Sequence, residues 1–103
     1  MTIVISEKVF EGQVKQLAGL FGYLYYHTWR SFHSPSGFPD VVMMRLEPGP
    51  RMVFAELKTD DLKNSQPSFE QWLWLYMLQQ LPVPVECYLW RPSDLDTIAE
   101  VLR

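Results

Sequence analysis

A chain of 103 residues, 48% hydrophobic and 15% aromatic, is long enough to bury one core without staples and too apolar to stay disordered. Its net charge of -3 does not supply the basic footprint of a protein held on nucleic acid by bulk electrostatics, and the lone Cys87 excludes an internal disulfide and fits a reducing compartment. No apolar run approaches a membrane span and no signal-peptide pattern opens the chain, so the expectation is one soluble, cytoplasmic domain over residues 1–103 with no membrane partner.

Ser6 is a candidate N-cap. Phe10, Val14, Leu17, Ala18 and Phe21 then recur at helical spacing, which predicts an amphipathic helix over residues 7–21 closed by Gly22. Tyr23 to Trp29 is aromatic and β-prone and reads as the first strand. Arg30 to Gly37 is a polar loop without periodicity. Val41 to Leu46 and Met52 to Leu57 are rich in Val, Met and Phe, and Glu47-Pro48-Gly49-Pro50 between them is turn chemistry, so the two runs form a hairpin. A polar connector, Thr59 to Pro67, leads to a helix opened by Ser65 or Ser68 and carrying Phe69, Trp72, Leu73, Tyr76, Met77 and Leu81. Trp74 and Leu75 widen its apolar face beyond what one small sheet requires, and the surplus predicts self-association. Pro82 and Pro84 break that helix, Val83 to Trp90 gives the last strand, and Ser93 or Asp94 caps a short helix with Leu95, Ile98, Val101 and Leu102. The order α-β-β-β-α-β-α, with one strand reached through a helical crossover, predicts an α/β fold: a mixed sheet flanked by helices.

The hairpin gathers its chemistry at one end. Because the strands run antiparallel, Asp40 before the first lies near Glu56 and Lys58 at the end of the second, and Glu56 and Lys58, two apart, face the same way. An E-x-K alone is usually a solvated surface pair of little consequence. Here Phe54, Ala55 and Leu57 imply buried surroundings, and a buried charge needs a partner or a metal. Two carboxylates and an ammonium suit a hard divalent cation such as Mg²⁺, with the lysine able to orient water or steady developing negative charge. Glu7 and Glu11, one turn apart, either complete such a site or remain on a solvated helix face. His27 is compatible with a hydrogen-bonded strand histidine and with a phosphate ligand or proton carrier. Gln71 either aims its amide at the site or is an ordinary exposed glutamine. For DNA to be the ligand, Arg30, Arg45, Arg51, Lys58 and Lys63 have to share a face.

Glu11 on the first helix, G-F-P-D at Gly37 to Asp40, E-L-K at Glu56 to Lys58, Gln71-Trp72 on the next helix and V-x-x-Y-x-W-x-P from Val85 to Pro92 together resemble the VRR-NUC family of the PD-(D/E)XK nuclease superfamily, in its stand-alone, virus- or prophage-type form. The resemblance spans nearly the whole chain. It implies a restriction-endonuclease-like α-β-β-β-α-β core and Mg²⁺- or Mn²⁺-dependent hydrolysis of DNA phosphodiesters. By that resemblance Glu11, Asp40 and Glu56 hold the metal with the backbone carbonyl of Leu57, Lys58 is the catalytic lysine and Gln71 the helix glutamine of the family. Some relatives carry Gln at the place of Glu11 and the acid at that of Glu7, which makes Glu7 the alternative. His27, Thr28 and Ser31 match cleft-lining positions. Stand-alone members resemble homodimeric Holliday-junction resolvases, which implies branched DNA as partner and a homodimer. The rival expectation, favoured by the negative charge and aromatic excess, is the same fold used as a non-catalytic nucleic-acid- or protein-binding module.

Overall fold

The computed structural model describes residues 3–29 and 33–103. Ser6 caps the first helix, its hydroxyl accepting from the Val9 amide at 3.2 Å, and α1 runs Glu7–Leu20. Phe10, Val14 and Ala18, spaced four apart, turn a fully buried stripe to the sheet. At its end Gly22 takes φ +81°, a left-handed conformation that costs a side-chain-free residue little. Tyr23 N then donates to Ala18 O at 2.8 Å and Gly22 N to Gly19 O at 3.2 Å, the paired bonds of a Schellman end, which reverses the chain into β1 (Leu24–His27).

β2 (Val41–Arg45) and β3 (Arg51–Leu57) form the antiparallel hairpin, with Arg45 opposite Arg51 beside the turn and Val41 opposite Ala55 at the far end. β1 pairs antiparallel with β2, and β4 (Val85–Trp90), reached through α2 (Phe69–Gln80), pairs parallel with β3. Among the described residues the sheet is therefore mixed, in the order β1-β2-β3-β4. A 3-10 turn, Pro92–Asp94, leads into α3 (Leu95–Leu102), with Asp94 as its N-cap. α1 and α3 bring Phe10, Val14, Ala18, Ile98 and Leu102 onto Val41, Met43, Val53, Ala55, Leu57 and Trp90. The alternate residues of β3, Phe54 and Glu56, face α2 on the other side, so β3 is buried on both faces from Val53 to Leu57.

The first and last strands are shorter than the sequence suggests. Tyr23 belongs to the helix end, and after His27 one further bond, Thr28 N to Asp40 O at 2.7 Å, closes the ladder before the chain leaves it. β4 begins at Val85 and not at Val83, because Pro84 has no N–H to give the ladder.

Two arginines do not sit where DNA binding needs them. Neither α1 nor α3 has a basic residue in its last turn. Arg45 supplies that charge from the sheet, donating to Phe21 O at 2.8 Å and Leu102 O at 3.0 Å, while Arg51 donates to Val101 O at 2.6 Å. Both cations approach the Tyr23 ring, at 4.5 and 5.9 Å from its centroid, and Arg51 forks onto Glu86 at 2.8 and 2.7 Å. They offset the negative ends of two helix dipoles at the turn end of the hairpin, opposite Asp40. The condition set for a DNA ligand, that Arg45 and Arg51 share a face with Lys58, is thus not met by these two arginines. The hairpin register explains why: residues next to the turn are the farthest from the strand ends that carry the acids. Arg30 lies outside the described residues.

No helix among the described residues is long and apolar enough to cross a membrane. α2 buries Leu75 but leaves Phe69, Tyr76 and Met77 exposed, at 75%, 59% and 55%.

Candidate functional site

The G-F-P-D stretch is shaped by contact with α2. Gly37 has φ +101°, and a Cβ there would stand 2.6 Å from the Glu70 backbone carbon. Phe38 meets Trp74 and Phe54 edge to face at 5.2 and 6.2 Å, and the Trp74 indole donates to Ser36 O at 3.3 Å. Pro39 is buried, and its carbonyl accepts from the Thr28 hydroxyl at 2.9 Å. The loop is therefore held from three sides when it reaches Asp40. We expect Gly37→Ala to destabilise the fold by about 2 kcal/mol or more, as backbone strain adds to overpacking against a main chain that cannot move aside. Urea unfolding of wild type and variant measures this directly.

Asp40 stands one residue before the Val41–Ala55 pair, which sets it across from Glu56. Its Oδ2 accepts from the Leu57 amide at 2.9 Å, tying the ends of β2 and β3 together. Glu56 is fully buried. Gln71 Nε2 donates to its Oε1 at 2.8 Å, and Lys58 Nζ lies 3.8 Å from the same oxygen. The orientation of Gln71 is fixed by helix capping: its Oε1 accepts from Ser68 N at 2.8 Å, while Ser68 Oγ accepts from Gln71 N, so the amide NH₂ is left to face Glu56. Ser68, not Ser65, is the helix cap, and the cap also orients a site residue. Lys58 continues the sheet through Lys58 N to Trp90 O at 3.0 Å and is largely buried, with its side chain 14% exposed.

The electrostatics are unfavourable to two ionised carboxylates. Burial first, then the hydrogen-bonding Asp40 carboxyl and its charge, push Glu56 up to about 9, against a smaller downward pull from Lys58. Glu56 Oε2 is buried without a donor. Two carboxyl groups in hydrogen-bonding reach, one with an orphaned oxygen, need a shared proton or a cation between them. Hard oxygen donors of this kind fit Mg²⁺ or Mn²⁺, which take one or two carboxylates and fill the remaining positions with water. Among the described residues no three His, Cys, Asp or Glu side chains converge as a metal-holding cluster. The fit therefore rests on the Asp40–Glu56 pair.

The two acids of α1 differ in surroundings. Glu7 is raised by burial and by the charge of Asp40, and lowered by Lys58 and His27; its own charge in turn raises Glu56. Glu11 accepts from the Tyr25 hydroxyl at 2.7 Å. Both line a cleft of about 770 Å³ with Asp40 and Leu57. A second cleft, of about 780 Å³, is bordered by Glu7, Thr28, Asp40, Gln71 and Trp74. His27 lines both, its ring edge-on to Trp29 at 5.8 Å. Ser31 lies outside the described residues. Sequence reasoning did not single out Lys8, Lys15, Tyr26 and Trp29, which also line the first cleft. The signal was present for the lysines, which are seven apart and so share a side of α1.

No family profile matches the sequence, and no curated protein matches it. A solved structure described as a VRR_NUC domain superposes on the chain with a TM-score of 0.71 and 21% sequence identity, over 91% of this chain and 94% of that one. The element order, the mixed sheet with its flanking helices and this superposition agree: the chain has the fold of a VRR_NUC domain.

Proposed function

We propose that this chain, acting as one domain over residues 1–103, is a divalent-metal-dependent nuclease that hydrolyses DNA phosphodiester bonds. The observation that carries the reading is the convergence on a buried Glu56 of Asp40, Lys58 and Gln71, on the fold named for VRR_NUC domains. Asp40 and Glu56 would hold Mg²⁺ or Mn²⁺, with the Leu57 carbonyl and a carboxylate of α1. Motif spacing favours Glu11 for that place and charge coupling favours Glu7. When bound, the ion supplies Lewis-acid polarisation of the phosphoryl group and acidifies water at the site.

The chain's own groups do the remainder. Gln71 fixes Glu56 Oε1, and the Leu57 amide fixes Asp40 Oδ2, so neither carboxylate has to reorganise on binding. Lys58 Nζ, held beside Glu56, orients the attacking water or takes up its proton, and its charge opposes the negative charge that gathers on the phosphoryl oxygens. His27, on the cleft wall shared by both recesses, is within the substrate's path as a phosphate contact.

The finer reading is structure-selective incision of branched DNA by a homodimer working inside the cell. The exposed apolar side chains of α2 support self-association, and the unpaired thiol of Cys87 is consistent with a reducing compartment. The test is an incision assay on four-way, flap and linear duplex DNA with Mg²⁺, Mn²⁺ or EDTA, with sedimentation run on the same preparation. Cleavage with either ion, none with EDTA, and a dimer at micromolar concentration are expected. DNA binding without incision under any ion would instead favour the non-catalytic module.

A further inference from the structure

The wall of the cleft opposite α1 carries aromatic surface that neither the core nor the carboxylates use. At the end of β1 the Trp29 side chain is 80% exposed and Tyr26 60% exposed, and both border the two recesses that meet at Asp40. His27 meets Trp29 edge-on with an interplanar angle of 81°. Across the first recess, Lys8 and Lys15 stand on one side of α1, with Glu11 between them engaged by Tyr25. One wall thus offers π-faces, the other offers cations, and the groove between them reaches Asp40, the partner of the buried Glu56.

Resting on the nuclease reading, we propose that Trp29, with Tyr26, stacks an unpaired base next to the phosphodiester held at Asp40 and Lys58, while Lys8 and Lys15 contact flanking phosphates. This makes Trp29 a specificity-determining residue for substrates with single-stranded or splayed nucleotides. Bases inside a duplex have their faces covered by neighbours, whereas an unpaired base presents one. The charge distribution requires such a contribution. With a total of -3 and Arg45 and Arg51 committed to the far end, two lysines release few counterions. The salt dependence of single-strand binding is expected to be shallow, with a log–log slope of about -1.5.

The experiment compares the full chain with Trp29→Ala and Trp29→Phe, using fluorescence anisotropy in Ca²⁺ on labelled flap and blunt duplex oligonucleotides. 2-Aminopurine at the unpaired position reports stacking through quenching. Wild type should bind the flap more tightly than the duplex and quench the probe. Trp29→Ala should lose about tenfold in flap affinity and the quenching, with duplex affinity unchanged, and Trp29→Phe should keep most of both. Equal losses on flap and duplex, or an unaltered flap affinity in Trp29→Ala while the protein still cuts DNA in a Lys58-dependent way, overturn the stacking role and leave the nuclease reading standing. If wild type neither binds nor cuts any of these DNAs, both readings fall.

Discussion

Lys58→Ala is expected to lower metal-dependent cleavage by about 10²–10⁴-fold while changing the melting temperature little. The asymmetry follows from what surrounds the ammonium. Its Nζ is 3.8 Å from a Glu56 oxygen that Gln71 already satisfies, and the carboxyl of Glu56 sits well above the usual range even with the lysine present. Removing the cation therefore shifts Glu56 further toward its protonated form without stranding a new buried charge, so the fold has a way to absorb the change. On the proposed nuclease reading the chemistry has no such substitute, because no other cation among the described residues is paired with Glu56. Asp40→Asn is the matching control on the carboxylate side. It keeps an oxygen to accept from the Leu57 amide but removes a negative donor, so cleavage and Mg²⁺ affinity should both fall with the β2–β3 junction intact. Glu7→Gln and Glu11→Gln, assayed together, identify the helix acid by which of them weakens Mg²⁺ affinity. A Lys58→Ala protein that turns over within tenfold of wild type would remove the lysine from the chemistry.

Much of the scaffold was legible because its signals are local. Ser6 and Gly22 bound α1 where capping chemistry says they should, the Glu47 to Pro50 turn fixes the hairpin register, and that register brings Asp40 opposite Glu56. What the sequence left open depends on tertiary placement. Glu7 and Glu11 are one turn apart on the same flank. Which of them meets the acid pair depends on how far α1 extends past the sheet end and on the capture of Glu11 by Tyr25, a residue fourteen positions away on another element. Gln71 is readable from spacing either as a site residue or as an ordinary exposed glutamine; the Ser68 amide takes its oxygen and leaves only its donor end for Glu56. The arginines illustrate the converse. Arg45 and Arg51 looked available for nucleic acid, yet two helices without basic last turns needed them as caps.

The second large effect is on stability and its pH dependence. The carboxyl of Glu56 rises from an ordinary 4.5 to about 9 on folding, chiefly through burial and then through Asp40. Between those values the folded state holds a proton that the unfolded chain has released, so stability falls as pH rises. The contribution of this group is fully present below pH 4.5 and is lost progressively as pH climbs through 9. Glu7, also raised, acts in the same direction, whereas Glu86, lowered by Arg51, acts in the opposite one and at lower pH. Comparing wild type with Glu56→Gln isolates the buried acid, since glutamine can donate to Asp40 as a protonated Glu56 would and has no proton to lose. In EDTA the variant should be the more stable protein at pH 8–9, by on the order of a few kcal/mol, with the difference vanishing near pH 5. Millimolar Mg²⁺ should reverse the order at high pH, because an ion between Asp40 and Glu56 replaces the proton in wild type and binds the amide variant poorly. Guanidinium unfolding at pH 5, 7 and 9, with and without Mg²⁺, reads all of these outcomes. Parallel stability curves for the two proteins in EDTA would mean that Glu56 is not held protonated beside Asp40, and a failure of Mg²⁺ to stabilise wild type selectively would deny the pair its role as the metal-binding end of the sheet.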